Sequence, residues 1–201
     1  MIIIGITGPT GAGKTTALNV LEELGGHIID ADAVYHELLA NDRELQRELE
    51  DRFGPLRDEH GVFQRKKLGT IVFADPEALA ELSVITFRYI DRAIQNRLVQ
   101  AEADGCPVAA IDAIRLFESG LSERCAATLA IVATPEIRVR RIMAREGISE
   151  EYAWSRVNAQ EPDDFYTRQS DYALVNDCET AEEFARRAKA LFALILEKHA
   201  Q

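Results

Sequence analysis

With 201 residues and 47% hydrophobic content, the chain can bury a full core and sits near the usual size of one domain. A net charge of −11, from 34 acidic against 23 basic residues, argues against a general nucleic-acid-binding surface, which needs a broad basic face. Cys106, Cys125 and Cys178 are far apart with no C-x-x-C spacing, so neither a disulfide framework nor a zinc site is indicated, and no apolar run approaches the ~20 residues that span a bilayer. No membrane association and a cytoplasmic setting are expected.

Ile2-Ile3-Ile4-Gly5-Ile6 is short, β-branched and not alternating, the pattern of a strand buried on both faces of a parallel sheet. Gly8-Pro9-Thr10-Gly11-Ala12-Gly13-Lys14-Thr15 follows at once and matches G-x-x-x-x-G-K-[ST], ahead of a helix-compatible segment from Thr16 to Leu24. In that order the stretch reads as a phosphate-binding loop, whereas a glycine-rich turn that binds nothing has no need of it. Gly8, Gly11 and Gly13 let the backbone turn tightly, and the amides through Ala12 to Thr16 face phosphate oxygens at the positive end of the helix. Lys14 adds charge near the β- and γ-phosphates, and the Thr15 hydroxyl is a Mg²⁺ ligand. ATP with Mg²⁺ is the expected ligand.

Gly25-Gly26 ends the first helix, and His27 to Asp30 reads as a second strand. Asp30-Ala31-Asp32 then lies at its carboxyl end, where open α/β sheets put their ligands. Helical spacing runs from Ala33 to Phe53 with a break at Asn41-Asp42, and resumes over Gln64–Phe73 and Pro76–Ala103. About seventy residues without a strand are too many for a plain crossover, and predict a helical acceptor-binding insertion over 34–105. Pro107–Asp112 and Thr128–Ala133 are the third and fourth strands. Pro135–Arg145 is a helix crowded with Arg138, Arg140, Arg141 and Arg145, and Ser149 caps another that runs to about Gln160. A short polar helix containing Arg168, a fifth strand at Tyr172–Asn176 and a closing helix at Thr180–Lys198 complete the chain. Five strands alternating with helices predict an α/β fold, a doubly wound parallel sheet in a single domain over 1–201, with 1–33 and 106–201 as the nucleotide-binding core. Residues 138–170 form a helical lid in this reading.

Phosphoryl transfer needs an acceptor held in line, neutralised charge and often a carboxylate that receives the acceptor's proton. Asp32 suits that last role, although Asp30 or Asp32 also suits the cap of the following helix. Asp112, closing an apolar strand, is placed to hold Mg²⁺ or to cap the strand end. Glu118 is a candidate for the acceptor side. Arg141 and Arg145, four residues apart, share a helix face and are expected to close over the triphosphate, while Arg138 and Arg140 point elsewhere; Arg168 is a further lid candidate. A solvated helix face is the plainer account of such a run. The histidines have no ligand-like spacing, and Trp154 suits the core or the rim.

In Thr7 to Thr15, Ile29-Asp30-Ala31-Asp32-Ala33, Arg52-Phe53-Gly54, Leu68 to Pro76, Leu116-Phe117-Glu118, Arg140 to Arg145, Arg156 to Gln160 and Asp171-Tyr172-Ala173, the chain resembles the dephospho-CoA kinases from end to end. The resemblance implies a P-loop kinase fold and phosphorylation of the ribose 3′-hydroxyl of dephospho-CoA by ATP. It also implies Asp32 as the acceptor-side carboxylate, Lys14 and Thr15 as phosphate and Mg²⁺ ligands, and Arg145 as a lid arginine. Four places depart from the pattern of the family it resembles: Phe87-Arg88 replaces His-Pro, Ile114-Arg115-Leu116-Phe117-Glu118 stands for Pro-Leu-Leu-Phe-Glu, Asp177-Cys178-Glu179 replaces an Asn-Asn-Gly-like turn, and Pro9-Thr10 stands in the loop where a second glycine and an aliphatic residue are usual. Two alternatives stay open. One is a kinase of another small hydroxyl acceptor such as a nucleoside or nucleotide. The other is a regulatory ATPase, although the guanine-reading N-K-x-D of GTP-specific switches is absent from the sequence.

Overall fold

The computed structural model describes residues 1–199. They form two compact units, one of residues 1–29 and 100–199 and the other of residues 30–99.

The first unit holds a five-stranded, all-parallel sheet in the order β2-β3-β1-β4-β5. Its strands are β1 (Ile2–Thr7), β2 (His27–Asp30), β3 (Val108–Asp112), β4 (Ala127–Val132) and β5 (Tyr172–Val175). The central strands are buried at nearly every position, as the unbroken apolar runs predict, because helices cover both faces of a parallel sheet. Ile4, Ile6, Leu129 and Ile131 from the sheet pack with Leu21 of α1 (Lys14–Glu23) and with Phe184, Phe192 and Ile195 of α9 (Ala181–His199). Helix α1 begins two residues earlier than its spacing suggests, because Gly13, at φ 108°, takes the N-cap position and Lys14 enters the first turn.

Between β4 and β5 lie α6 (Pro135–Glu146), α7 (Glu150–Asn158) and α8 (Asp163–Thr167). Pro135 opens α6 at a position where its missing N–H costs nothing, and Ser149 caps α7 by accepting from the Tyr152 amide. Val139, Ile142, Ala153 and Val157 form a small core of their own between α6 and α7, with Trp154 packed against it. Arg168 caps the C-terminal end of α8 instead of lying inside it. A 3-10 turn at Leu121–Arg124, before β4, has no counterpart in the sequence reading, since a single short turn leaves no periodicity to detect.

The second unit contains α2 (Ala31–Asn41), α3 (Arg43–Phe53), α4 (Arg65–Val72) and most of α5 (Pro76–Ala103), around Leu39, Leu45, Leu49, Leu56, Leu68, Val72, Leu82 and Tyr89. Asp42 divides α2 from α3 by accepting from the amides of Glu44 and Leu45. At the family departure Phe87-Arg88, Arg88 pairs with Glu48, whose other oxygen accepts from the Tyr89 hydroxyl at 2.8 Å. The arginine is thereby tied into the packing of α3 on α5. Among the described residues no helix is long and apolar enough to cross a membrane.

Asp171 secures the start of β5. Its carboxylate accepts from the Thr128 amide at 2.8 Å and from the Thr128 hydroxyl at 2.7 Å. These hydrogen bonds, the hydroxyl's first, hold the Asp171 carboxyl below its ordinary value. A folded-state value that is depressed stabilises the fold above the unfolded value, near about 4, and that contribution is lost as pH falls through the lowered folded value. Asp171→Asn is therefore expected to lower the melting temperature at neutral pH and to make the acid limb of a Tm-against-pH curve shallower. An acid limb as steep as the parent's contradicts that linkage.

Candidate functional site: a phosphate cleft at the β1 loop

The loop after β1 bounds a cleft of about 450 Å³ lined by Pro9, Thr10, Gly11, Gly13, Lys14, Thr15, Asp112, Arg141, Arg145 and Arg156. Strand register explains the position of Asp112. It pairs with Ile6, so the carboxylate closes the strand beside the loop. Gly8, at φ 135°, lets the chain leave β1 while passing close to the Ile131 carbonyl of β4. Lys14 turns back across the loop, its Nζ donating to the Gly8 carbonyl at 2.9 Å.

Lys14, Thr15, Asp112, Arg141 and Arg145, all singled out from the sequence, are brought to one cleft together with Gly11 and Gly13. Gly8 and Ala12 are buried behind it, and Thr16 lies in α1 without lining it. Glu118 sits exposed in the turn after β3, also off the lining. Asp32 belongs to the second unit. It is exposed in the first turn of α2, and the cap of that helix is Asp30, whose Oδ1 accepts from the Ala33 amide at 2.9 Å. The two aspartates are thus separated in role: Asp30 closes the helix end, and Asp32 carries no capping bond.

One expectation about the arginines is corrected. Arg138 does not point away from the loop. It is only 2% exposed, donates from Nε to the Thr10 carbonyl at 3.0 Å, and lies 4.0 Å from Asp163. Three residues before Arg141, it shares that face of α6, as residues three apart on a helix do. Arg168, exposed and paired with Asp164 at 2.7 Å, lies outside the cleft lining.

Arg141 fits more tightly than its spacing suggests. Its guanidinium reaches the carbonyls of Gly11 and Ala12 at 3.4 and 3.3 Å and donates to Asn176 Oδ1 at 3.0 Å. Burial, then the neighbouring Arg140 charge, lowers it below the ordinary arginine value, yet an arginine stays charged at neutral pH. Arg145 donates to one oxygen of Glu146 at 2.6 Å, and Arg156 of α7 pairs with the other. Those hydrogen bonds, the Arg145 one first, hold the Glu146 carboxyl below the usual carboxylate range. One carboxylate thus serves two cleft arginines, leaving the cleft strongly positive within an acidic chain.

Arg156, Gln160 and Asn176 are functional-site residues that residue-by-residue reading does not single out. Arg156 and Gln160 fall within the Arg156 to Gln160 segment of the family-like pattern, the only signal that marks them. Asn176 follows β5 directly and is buried. Its Nδ2 donates to the Ala12 carbonyl at 2.8 Å, so the asparagine bridges loop and Arg141. The three cysteines are free thiols, and burial pushes Cys125 up to about 12, well away from nucleophile chemistry.

A family described as dephospho-CoA kinase matches residues 2–182. Among curated relatives, the dephospho-CoA kinase of Geobacter sulfurreducens is 35% identical over 196 residues, covering 96% of this chain and 98% of that one. Among solved structures, a Thermus thermophilus protein is 32% identical with a TM-score of 0.78, covering 98% of this chain and 97% of its own. The dephospho-CoA kinase of Campylobacter jejuni is 25% identical with a TM-score of 0.68, covering 98% of each chain.

Proposed function

The chain belongs to the dephospho-CoA kinase family, and from that membership we propose that it transfers the γ-phosphoryl group of ATP to the 3′-hydroxyl of dephospho-CoA in the cytoplasm. The observation that carries this reading is the convergence of Lys14, Thr15, Asp112, Arg141, Arg145 and Arg156 on one cleft bounded by the glycine loop. Phosphoryl transfer asks a protein for positioning and for charge to meet the three equatorial oxygens, and this lining supplies both.

The loop amides and Lys14 hold the β- and γ-phosphates. Arg141 is braced by the loop's own carbonyls, so it meets the nucleotide already oriented. Arg145 and Arg156 bring mobile charge from the ends of α6 and α7, each exchanging its hold on Glu146 for phosphate oxygens. Asp32 is the acceptor-side carboxylate of this reading: exposed, without a capping bond, and set at the start of the unit that receives dephospho-CoA. It takes the proton of the 3′-hydroxyl as that oxygen attacks phosphorus, and ADP leaves.

The donor set fits Mg²⁺. Thr15 and Asp112 line the same cleft, and among the described residues no group of three or more His, Cys, Asp or Glu side chains forms a cage. Mg²⁺ typically takes one or two protein oxygens and fills its octahedron with phosphate and water. Bound there, the ion would neutralise charge on the β- and γ-phosphates.

The decisive measurement is ADP release with ATP and Mg²⁺ in the presence of dephospho-CoA, of nucleosides or of no acceptor. Release that depends on dephospho-CoA is expected. Turnover driven by a nucleoside would replace the acceptor in this reading, and acceptor-independent turnover would end it. In the same assay Lys14→Ala is expected to weaken ATP binding as well as rate.

A further inference from the structure

The α6–α7 hairpin is fastened to the phosphate loop at both of its roots, and both fastenings meet at Thr10. From the start of α6, Arg138 Nε donates to the Thr10 carbonyl at 3.0 Å. From just beyond α7, Gln160 Oε1 accepts from the Thr10 amide at 3.0 Å, and Gln160 Nε2 donates to the Thr10 hydroxyl at 3.1 Å. The ring closes because Arg138 Nη2 also donates to Gln160 Oε1, at 2.6 Å. Each part constrains the others. Two N–H donors converge on Oε1, so the amide has one orientation, and that orientation presents Nε2 to the only acceptor the Thr10 side chain offers.

Beyond this ring the hairpin is tied down by the bonds of Arg141 to the loop carbonyls and Asn176 and by Ile137 against the sheet core, while Val139, Ile142, Ala153 and Val157 pack on one another as a small core of their own. A segment with its own small core opens as a unit, at a free energy set by the few bonds that tie it down. Three of the cleft residues, Arg141, Arg145 and Arg156, ride on this hairpin.

We propose that Thr10 and Gln160 are positioning residues which, through Arg138, register the α6–α7 hairpin on the phosphate loop and so set where its three arginines stand when phosphoryl transfer occurs. Neither Thr10 nor Gln160 transfers charge or a proton. They act through the arginines, so their loss falls on turnover more than on nucleotide affinity, which the loop amides and Lys14 dominate. The inference rests on the kinase reading of the same cleft.

The test compares Thr10→Val, Thr10→Ser and Gln160→Leu with the parent by amide hydrogen exchange and by steady-state kinetics. In the ligand-free protein, Thr10→Val and Gln160→Leu should speed exchange across residues 135–158 by about tenfold, the fold-change expected when a hydrogen bond is lost and its partner left unsatisfied. Exchange in α1 and α9 should stay at the parent rate. With dephospho-CoA as acceptor, kcat should fall about tenfold while ATP binding by equilibrium dialysis changes less than about threefold. Thr10→Ser, which keeps the hydroxyl, should restore both, and the Thr10→Val/Gln160→Leu double variant should be little worse than either single one, as members of one network are.

Unchanged hairpin exchange in both variants overturns the proposal. So does faster exchange spread evenly over the nucleotide-binding unit, because that marks ordinary stabilisation. A parent that binds ATP yet does not phosphorylate dephospho-CoA would overturn the activity reading instead, and the exchange pattern would still decide the role of Thr10 and Gln160.

Discussion

Asp32→Asn is expected to leave ATP binding intact and to cut turnover by about 10² to 10⁴, the usual worth of a positioned general base. The substitution keeps size and polarity while removing the capacity to take a proton, so what is lost belongs to the acceptor's attack and not to the nucleotide's seat. The structure makes this variant unusually clean. Because Asp30 supplies the capping bond to the Ala33 amide, neutralising Asp32 leaves the helix cap in place, and the urea midpoint should match the parent's. Asp30→Ala supplies the converse: it should cost about 1 kcal/mol for the missing cap while turnover at saturating substrate is kept. Single-turnover measurements with dephospho-CoA, alongside dialysis with ATP, separate the two aspartates. An Asp32→Asn enzyme as fast as the parent would remove the base from the proposed chemistry and leave the charged phosphate cleft as its whole basis.

Gly8→Ala is expected to compromise folding itself. At φ 135° the residue occupies backbone space that side-chain-bearing residues rarely enter, and a Cβ there would stand 2.0 Å from the Ile131 carbonyl oxygen. That oxygen belongs to a fully buried residue of a central strand, flanked by pairings to β1 and β5, so it has no room to retreat. Backbone strain of this kind costs about 1–3 kcal/mol. Overpacking a rigid site adds about 1–3 kcal/mol more. Against a typical stability of about 5–15 kcal/mol, the sum removes much of the margin. Urea unfolding should show a midpoint far below the parent's or no cooperative transition. Gly5→Ala is the informative contrast: its Cβ would meet Leu116 Cδ2 at 2.7 Å and Cys125 Sγ at 2.9 Å, side-chain atoms that can shift, at a backbone angle open to alanine. Equal tolerance at both positions would contradict the argument from the fixed carbonyl.

Several features were legible in the residues because their causes are local or periodic. Short, largely apolar runs without alternation give strands buried on both faces, so β1, β3 and β4 follow from their own residues. The G-x-x-x-x-G-K-[ST] spacing between a strand and a helix gives the phosphate loop, and Asn41-Asp42 gives the division of α2 from α3 through the capping chemistry of Asp42. The whole-length pattern gave the family. Helix starts were less secure: α1 begins at Lys14 because Gly13 adopts a left-handed conformation that no spacing rule announces.

What tertiary structure decided is which side chains meet. Arg138 and Arg141 look alike in sequence, yet one is a buried brace on Thr10 and the other a cleft residue held by loop carbonyls and Asn176. Asp30 and Asp32 are equally good caps by type, and only the folded backbone gives the bond to Asp30. Gln160 and Asn176 reach the loop across 150 and 164 positions of chain, and such encounters leave no mark on local periodicity. The sequence by itself determined the elements, the anion-binding loop and the kinship, since these depend on neighbours along the chain. The fold alone decided the partners of each arginine, because a guanidinium's role is fixed by which carbonyl or carboxylate lies within hydrogen-bond reach, and that distance exists only once the strands have paired and the helices have packed.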